Sequence, residues 1–181
     1  MKPNFFLKKR SKNLLFLLLF PLELMAQLGD PQGPYFATGI RIGDVSQNEA
    51  VIWTRLTQNP TRVSDAPLPI ALYTDPETGA KHTRKTREDK NGVVYFPEGY
   101  NINTIEGAVP GAAGLVKIKY KSAESKEWQS TTWQAVSPEA NFSRKFILSD
   151  LKPGLTYELL VEARPVEASK VSAQLKGKFK T

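Results

Sequence analysis

The stretch Leu151-Lys152-Pro153-Gly154-Leu155-Thr156-Tyr157 and the strand behind it restrict the fold more than any other part of the chain. From Tyr157 onward, Tyr157, Leu159, Val161 and Ala163 alternate with Glu158, Leu160, Glu162 and Arg164. That period of two is the mark of a strand with one face in a core and the other turned mostly to water. The Tyr therefore points inward, and its buried hydroxyl needs a partner. The Leu-x-Pro-Gly bend just upstream brings backbone near enough to supply one, so the two halves of the stretch form one architectural device. It holds a ring and carries no chemistry.

A tyrosine held this way is the corner of fibronectin type III-like and immunoglobulin-like sandwiches. The expected fold is all-β, a two-sheet antiparallel sandwich, with a long inserted loop region. The other strands read in order. A sandwich over residues 35–181 starts near Tyr35, after the turn-forming Asp30-Pro31-Gln32-Gly33-Pro34. Phe36, Ile40 and Ile42 mark a first strand and Val51–Leu56 a second, with the Trp53 indole expected in the core. Leu68, Ile70 and Leu72 form a third apolar stretch. From about 75 to 114 the pattern weakens, and this segment is expected to be an insertion of the kind that carries a chain's own function.

Val116, Ile118 and Tyr120 then alternate with Lys117, Lys119 and Lys121, a lysine row of the sort that guards exposed strand edges. Trp128–Val136 is a further strand. Its two Trp residues, Trp128 and Trp133, are five apart and expected on opposite faces, one of them turned to solvent or to a neighbouring domain. Phe142, Phe146 and Leu148 lead into the corner. In the last strand Val171, Ala173, Leu175, Gly177 and Phe179 face one way, still in phase at Thr181, and a chain ending there is expected to be a domain of something longer.

The N-terminus is different in kind. Lys2, Lys8, Lys9, Arg10 and Lys12 precede the apolar run Leu14–Phe20, and Ala26 follows. A span this short falls below the roughly 20 residues a membrane helix needs, and the order of charge, apolar centre and small residue is that of an export signal over residues 1–26, with a linker at 27–34. The expected location is periplasmic, cell-surface or extracellular, with membrane contact only if the signal stays uncleaved. The chain has no Cys, so neither disulfides nor a lipidated cysteine can contribute. Removing residues 1–26 lowers the formal charge from +7 to +3, so the basic balance of the whole chain is partly a targeting feature and does not indicate nucleic acid.

Candidate chemistry is sparse. His82 is the single His, and metal or triad chemistry draws on several such groups. Asp75/Glu77 and Glu88/Asp89 sit in turn and charge-rich contexts and read as solvated carboxylates. Glu106–Gly114 is glycine-rich without the Lys-Ser/Thr ending of a phosphate loop. The run Lys81–Lys90 could draw an anionic polymer but offers no Phe, Tyr or Trp for base stacking. Trp53 with Arg55 could form a ligand platform, although a Trp in such a strand is more often core.

Gly33-Pro34-Tyr35-Phe36-Ala37-Thr38-Gly39-Ile40-Arg41-Ile42-Gly43-Asp44, followed by Ala50-Val51-Ile52-Trp53-Thr54-Arg55-Leu56, resembles the start of PhoD-like alkaline phosphatases. There a Phe-x-x-Gly-x-x-x-Gly-Asp segment leads to a strand ending in Trp-Thr-Arg. The corner at 151–157 and Gly177-Lys178-Phe179-Lys180-Thr181 are similar to the end of that family's N-terminal sandwich. Two departures stand out: the long insertion, and Lys9-Arg10 where many relatives have a twin Arg. The resemblance implies that catalytic residues and metal ligands belong to a metallophosphoesterase domain following Thr181. It assigns no catalytic, cofactor-binding or metal residue to this chain, no cofactor within it, and a partner in that downstream domain. The competing expectation is a free-standing exported binding module for a surface glycan or protein.

Overall fold

The structure, a computed structural model, describes residues 33–84 and 92–181. The expected export signal and its cleavage point lie outside these residues, as do Glu88/Asp89. In chain order the strands are β1 (Ile40–Gly43), β2 (Ala50–Arg55), β3 (Ile70–Thr74), β4 (Lys81–His82), β5 (Gly92–Tyr95), β6 (Gly114–Ser122), β7 (Gln129–Ser130), β8 (Gln134–Val136), β9 (Ser143–Leu148), β10 (Thr156–Arg164) and β11 (Ala173–Lys180). All pairings between them are antiparallel. One sheet has the order β1-β2-β9, a second runs β11-β10-β6 with β7 and β8 both on the far side of β6, and a third, β4-β3-β5, stands apart from both. The fold is an all-β antiparallel sandwich, as the alternation required.

Between the first two sheets lies one core. Ala50, Ile52 and Leu56 from the β2 side meet Val116 and Ile118 of β6, Phe146 and Leu148 of β9, and Tyr157, Leu159, Val161 and Ala163 of β10. The corner is formed as its sequence dictates. The Lys152 N–H donates to the Tyr157 hydroxyl at 2.8 Å, the ring is 6 % exposed, and it stacks on Phe179, its register partner on β11, at 5.4 Å between centroids. Gly154 takes φ 75°, a left-handed conformation that suits glycine. Thr181 closes on the same bend: its hydroxyl donates to the Lys152 carbonyl at 2.7 Å and accepts from the Leu155 N–H at 3.2 Å.

Trp53 is not in the core. Ala50, Ile52, Thr54 and Leu56 are fully buried, whereas Trp53 stands on the opposite face of β2, half-buried between Arg41 and Lys145. Alternation defines two faces without saying which turns inward. Here the compact row fits between the sheets, Thr54 donates its hydroxyl to the Gly39 carbonyl at 3.3 Å, and Arg55 shares the outer face with Trp53.

Two further expectations are corrected on the larger sheet. The lysine row of β6 does not guard an edge, because β6 has β10 on one side and β7 and β8 on the other. And Trp128 and Trp133 share a face. Along β6, Lys119 pairs with Ser130 and Tyr120 with Gln129, but Val116 pairs with Gln134 and Leu115 with Ala135. Three residues, Thr131–Trp133, therefore oppose two, Lys117 and Ile118. This is a β-bulge, and its extra residue reverses the phase of everything beyond it. The bulge is held by Thr131, whose N–H donates to the Ile118 carbonyl at 2.9 Å and whose hydroxyl accepts from the Ile118 N–H at 3.1 Å.

Among the described residues, the segment between β2 and β6 is folded rather than irregular. It leaves and returns side by side: Thr57 bridges both Tyr35 and Gly111, the Gln58 N–H donates to the Pro110 carbonyl, and Val63 exchanges hydrogen bonds with Ala108 and Gly107. Arg55 secures this base by donating to the Val109 carbonyl at 2.9 Å and to the Asn141 carbonyl and side chain at 3.0 and 3.1 Å. Beyond the base the segment builds the third sheet, drawing its first strand, β3, from the Ile70 stretch ahead of Asp75.

Candidate functional site

The groups considered for catalysis are dispersed. His82 lies in β4, with its ring stacked on Tyr73 at 6.2 Å and Nδ1 2.6 Å from the Arg84 carbonyl oxygen. Asp75 caps a turn: its Oδ1 accepts from the Thr78 and Glu77 N–H groups at 2.8 and 2.9 Å, and these backbone bonds hold its carboxyl below the usual range. Glu106 accepts from the Ala66 N–H at 3.4 Å. Gly111 and Gly114 of the glycine-rich stretch serve packing: a Cβ on Gly111 would overlap the Phe142 ring, and one on Gly114 would lie 2.8 Å from the Arg164 carbonyl oxygen. Arg55, offered as half of a ligand platform, is committed to the insertion base. Among the described residues no three His, Cys, Asp or Glu side chains cluster as a metal would need, and no helix is long and apolar enough to cross a membrane.

The organised polar chemistry lies on the outer face of the larger sheet. Register sets Lys117 and Lys119 of β6 beside Glu162 and Leu160 of β10, and Lys121 beside Glu158. Glu162, only 3 % exposed, receives Lys117 Nζ at 3.0 Å, Lys119 Nζ at 3.2 Å and Gln174 Nε2 at 3.1 Å. Burial pushes its carboxyl upward, but the hydrogen bonds and charges of Lys117 and Lys119 outweigh that and hold it below the ordinary carboxylate range. Lys121 pairs with Glu158 at 3.2 Å. The bulge sets both indoles over this ladder. Lys117 Nζ lies 4.5 Å and Arg164 Cζ 4.6 Å from the Trp133 centroid, and Lys121 Nζ lies 5.3 Å from that of Trp128. Trp133 is half-buried, while Trp128 is 45 % exposed.

Next to this ladder is a groove of about 510 Å³ lined by Trp128, Glu158, Leu160, Lys176, Gly177 and Lys178. Sequence reading missed it because it depends on pairing: Leu160 breaks an otherwise polar face, and only the β10–β11 register sets it next to Lys176.

A second surface belongs to the third sheet. Of the twelve large apolar side chains that are exposed among the described residues, eight fall between Leu68 and Ile102. Ile70 pairs with Tyr95 and Leu72 with Val93, so Ile70, Val93 and Tyr95 share one face with the half-buried Leu72. Val94 is exposed on the other face.

No family model matches the chain, and no curated protein matches it. Among solved structures it is similar to PhoD, at 17 % identity over 82 % of this chain with a TM-score of 0.44. It spans about a fifth of that protein, 20 % of its length. It is also similar to a computationally redesigned β-sandwich protein, at 10 % identity over 79 % of this chain and 89 % of the other, with a TM-score of 0.39.

Proposed function

We propose that this chain is the non-catalytic N-terminal accessory domain of an exported PhoD-like alkaline phosphatase or phosphodiesterase, and that it packs against a metallophosphoesterase domain through its inserted sheet. One observation carries the reading: the apolar surface around Ile70, Val93 and Tyr95 is concentrated on the inserted sheet, and among the described residues nothing else covers it. Apolar surface gathered in this way is uncommon on a protein without a partner. Val93 and Tyr95 belong to the segment from about 75 to 114 in which the chain departs from the family it resembles, and the motifs at Phe36–Asp44, Trp53-Thr54-Arg55 and Gly177–Thr181 supply the link to that family. The metal ions and the hydrolytic step belong to the partner domain. This chain supplies a rigid scaffold and a docking face.

The test begins with the coding sequence beyond Thr181, which should encode a metallophosphoesterase domain. That domain and this chain, expressed separately, should sediment as a one-to-one complex. The triple variant Ile70→Ser/Val93→Ser/Tyr95→Ser should abolish the complex while leaving the thermal unfolding of the sandwich unchanged. A stop codon with no such domain, or a complex indifferent to the triple variant, overturns the reading.

A further inference from the structure

The groove on the outer face of the larger sheet has no part in that docking role, and its chemistry is distinct from that of the inserted sheet. Across the face, Trp128 reaches in from the β7 side, Leu160 and Glu158 stand on β10, and Lys176 and Lys178 come from β11. The cations are not equivalent. Lys117, Lys119 and Lys121 are paired with Glu162 and Glu158, whereas among the described residues neither Lys176 nor Lys178 makes an ion pair, although Lys178 stands opposite Glu158 in the β10–β11 register, and both are exposed. The groove thus combines an exposed flat indole, an aliphatic contact at Leu160, a half-exposed Glu158 carboxylate that can accept hydroxyl hydrogens, and two uncommitted ammonium groups. At about 510 Å³ it falls within the roughly 300–1,000 Å³ of small-ligand sites.

We propose that this groove binds an acidic oligosaccharide, with the apolar face of one sugar ring on Trp128 and Leu160 and the carboxylate of an adjoining uronic acid between Lys176 and Lys178. The indole offers an apolar face with a polar edge, matching a pyranose ring with its axial C–H groups on one side and hydroxyls at its rim. The unneutralised lysines favour an anion. A single-stranded nucleic acid fits less well, since it needs a continuous basic track with several stacking rings. Here Glu158 interrupts the lysines, and one ring is exposed. A second copy of the chain is opposed by the row Lys176, Lys178 and Lys180 on edge strand β11, which would meet its own like charges.

The experiment is a two-dimensional amide NMR titration of the full chain with tri-galacturonic acid, alongside maltotriose, a neutral trisaccharide with the same number of rings. The expected result is a saturable shift of the Trp128 indole N–H and the Gly177 amide with the acid, and binding of maltotriose weaker by about tenfold or more. Trp128→Ala should weaken the acid by about tenfold or more. The exposed pair Lys176→Glu/Lys178→Glu should abolish acid binding while the amide spectrum keeps its folded dispersion; Lys178→Glu faces Glu158 across the β10–β11 pair, so the thermal midpoint should fall slightly. The proposal is overturned by the absence of saturable shifts up to about 10 mM ligand, by equal binding of the neutral sugar, by shifts that map elsewhere, or by acid binding that survives the lysine reversal. None of these outcomes bears on the phosphoesterase docking face, which is tested through different residues.

Discussion

The sandwich and the inserted sheet are made of similar material, short antiparallel strands with alternating apolar residues, yet they use it in opposite ways. In the sandwich each apolar row has a facing row: Ile52 and Phe146 from one sheet, Ile118 and Leu159 from the other, all nearly or fully buried. In the inserted sheet β5 has all four of its residues exposed, and its apolar side chains on both faces are open. A strand pattern gives a surface something to bury; burial itself needs a second layer. The sandwich has its second layer within the chain. Among the described residues the inserted sheet has none, which is why it is read as a docking face.

The largest effect that would sharpen this contrast is Ile52→Ala, a fully buried truncation expected to cost about 2–5 kcal/mol in urea unfolding. The Trp53→Ala change next to it should cost less despite the larger side chain, because the indole lies on the outer face. A greater loss at Trp53 than at Ile52 would put the wrong side of β2 in the core. Gly114→Ala tests the seam where the insertion rejoins the sandwich. Its Cβ would stand 2.8 Å from the Arg164 carbonyl oxygen and 2.7 Å from Pro34, and backbone cannot step aside as a side-chain tip can. The expected loss is about 1–3 kcal/mol, read from the thermal midpoint.

How far these effects were legible in the sequence differs by element. The corner was, because bend, ring and alternation all lie within fifteen residues and need no register. The faces of β10 and β11 were legible for the same reason. Trp53 was misassigned by size alone, although Arg55 and Leu56 carried the correct phase: a charged residue two positions on shares the Trp face, and Leu56 shares that of Ile52. The Trp128–Trp133 relation could not be read, since spacing assumes an unbroken strand and the bulge at Thr131–Trp133 appears only when β6 is paired. The Lys row looked like edge protection because its partners, Glu158 and Glu162, are some forty residues away. Their complementary spacing was visible, but antiparallel register had to bring them together. The groove was hidden for the same reason, and the apolar surface of the insertion because an apolar residue in sequence says nothing about what covers it.

Smaller effects probe the sandwich's two polar anchors. Glu162→Gln removes the charge that Lys117 and Lys119 share. Both lysines retain access to water, so the cost should be about 1–2 kcal/mol at neutral pH, below that of a fully buried pair. The pH dependence has a definite sign. A carboxyl held below its unfolded value contributes stability that is fully present above that value, about 4.3 for Glu, and that is lost as pH falls through the folded value. The gap between wild type and Glu162→Gln should therefore close on acidification below about pH 5. A gap that widens would mean that burial outweighs the lysines. Tyr157→Phe deletes the bond from the Lys152 N–H and should cost about 1 kcal/mol, with the ring still stacked on Phe179.

The smallest effect is the most informative about the inserted sheet. Val94 is 54 % exposed, so Val94→Ala removes methyl groups that water already touches, from a face with no opposing layer among the described residues and hence with no cavity to leave behind. Transfer of about 0.8 kcal/mol per fully buried carbon, taken over two methyl groups, scaled to that exposure and without a cavity contribution, leaves about 0.7 kcal/mol, little more than an ordinary surface substitution. The same truncation at Val116, fully buried in β6, should cost clearly more, and comparing the two by urea midpoint holds side-chain chemistry constant while changing only the presence of a second layer. A loss at Val94 as large as at Val116 would mean that the inserted sheet already has its cover within the chain, and the docking reading would lose its support. A negligible loss in the isolated chain, joined to a measurable one in the complex with a phosphoesterase domain, would locate the missing layer in that domain.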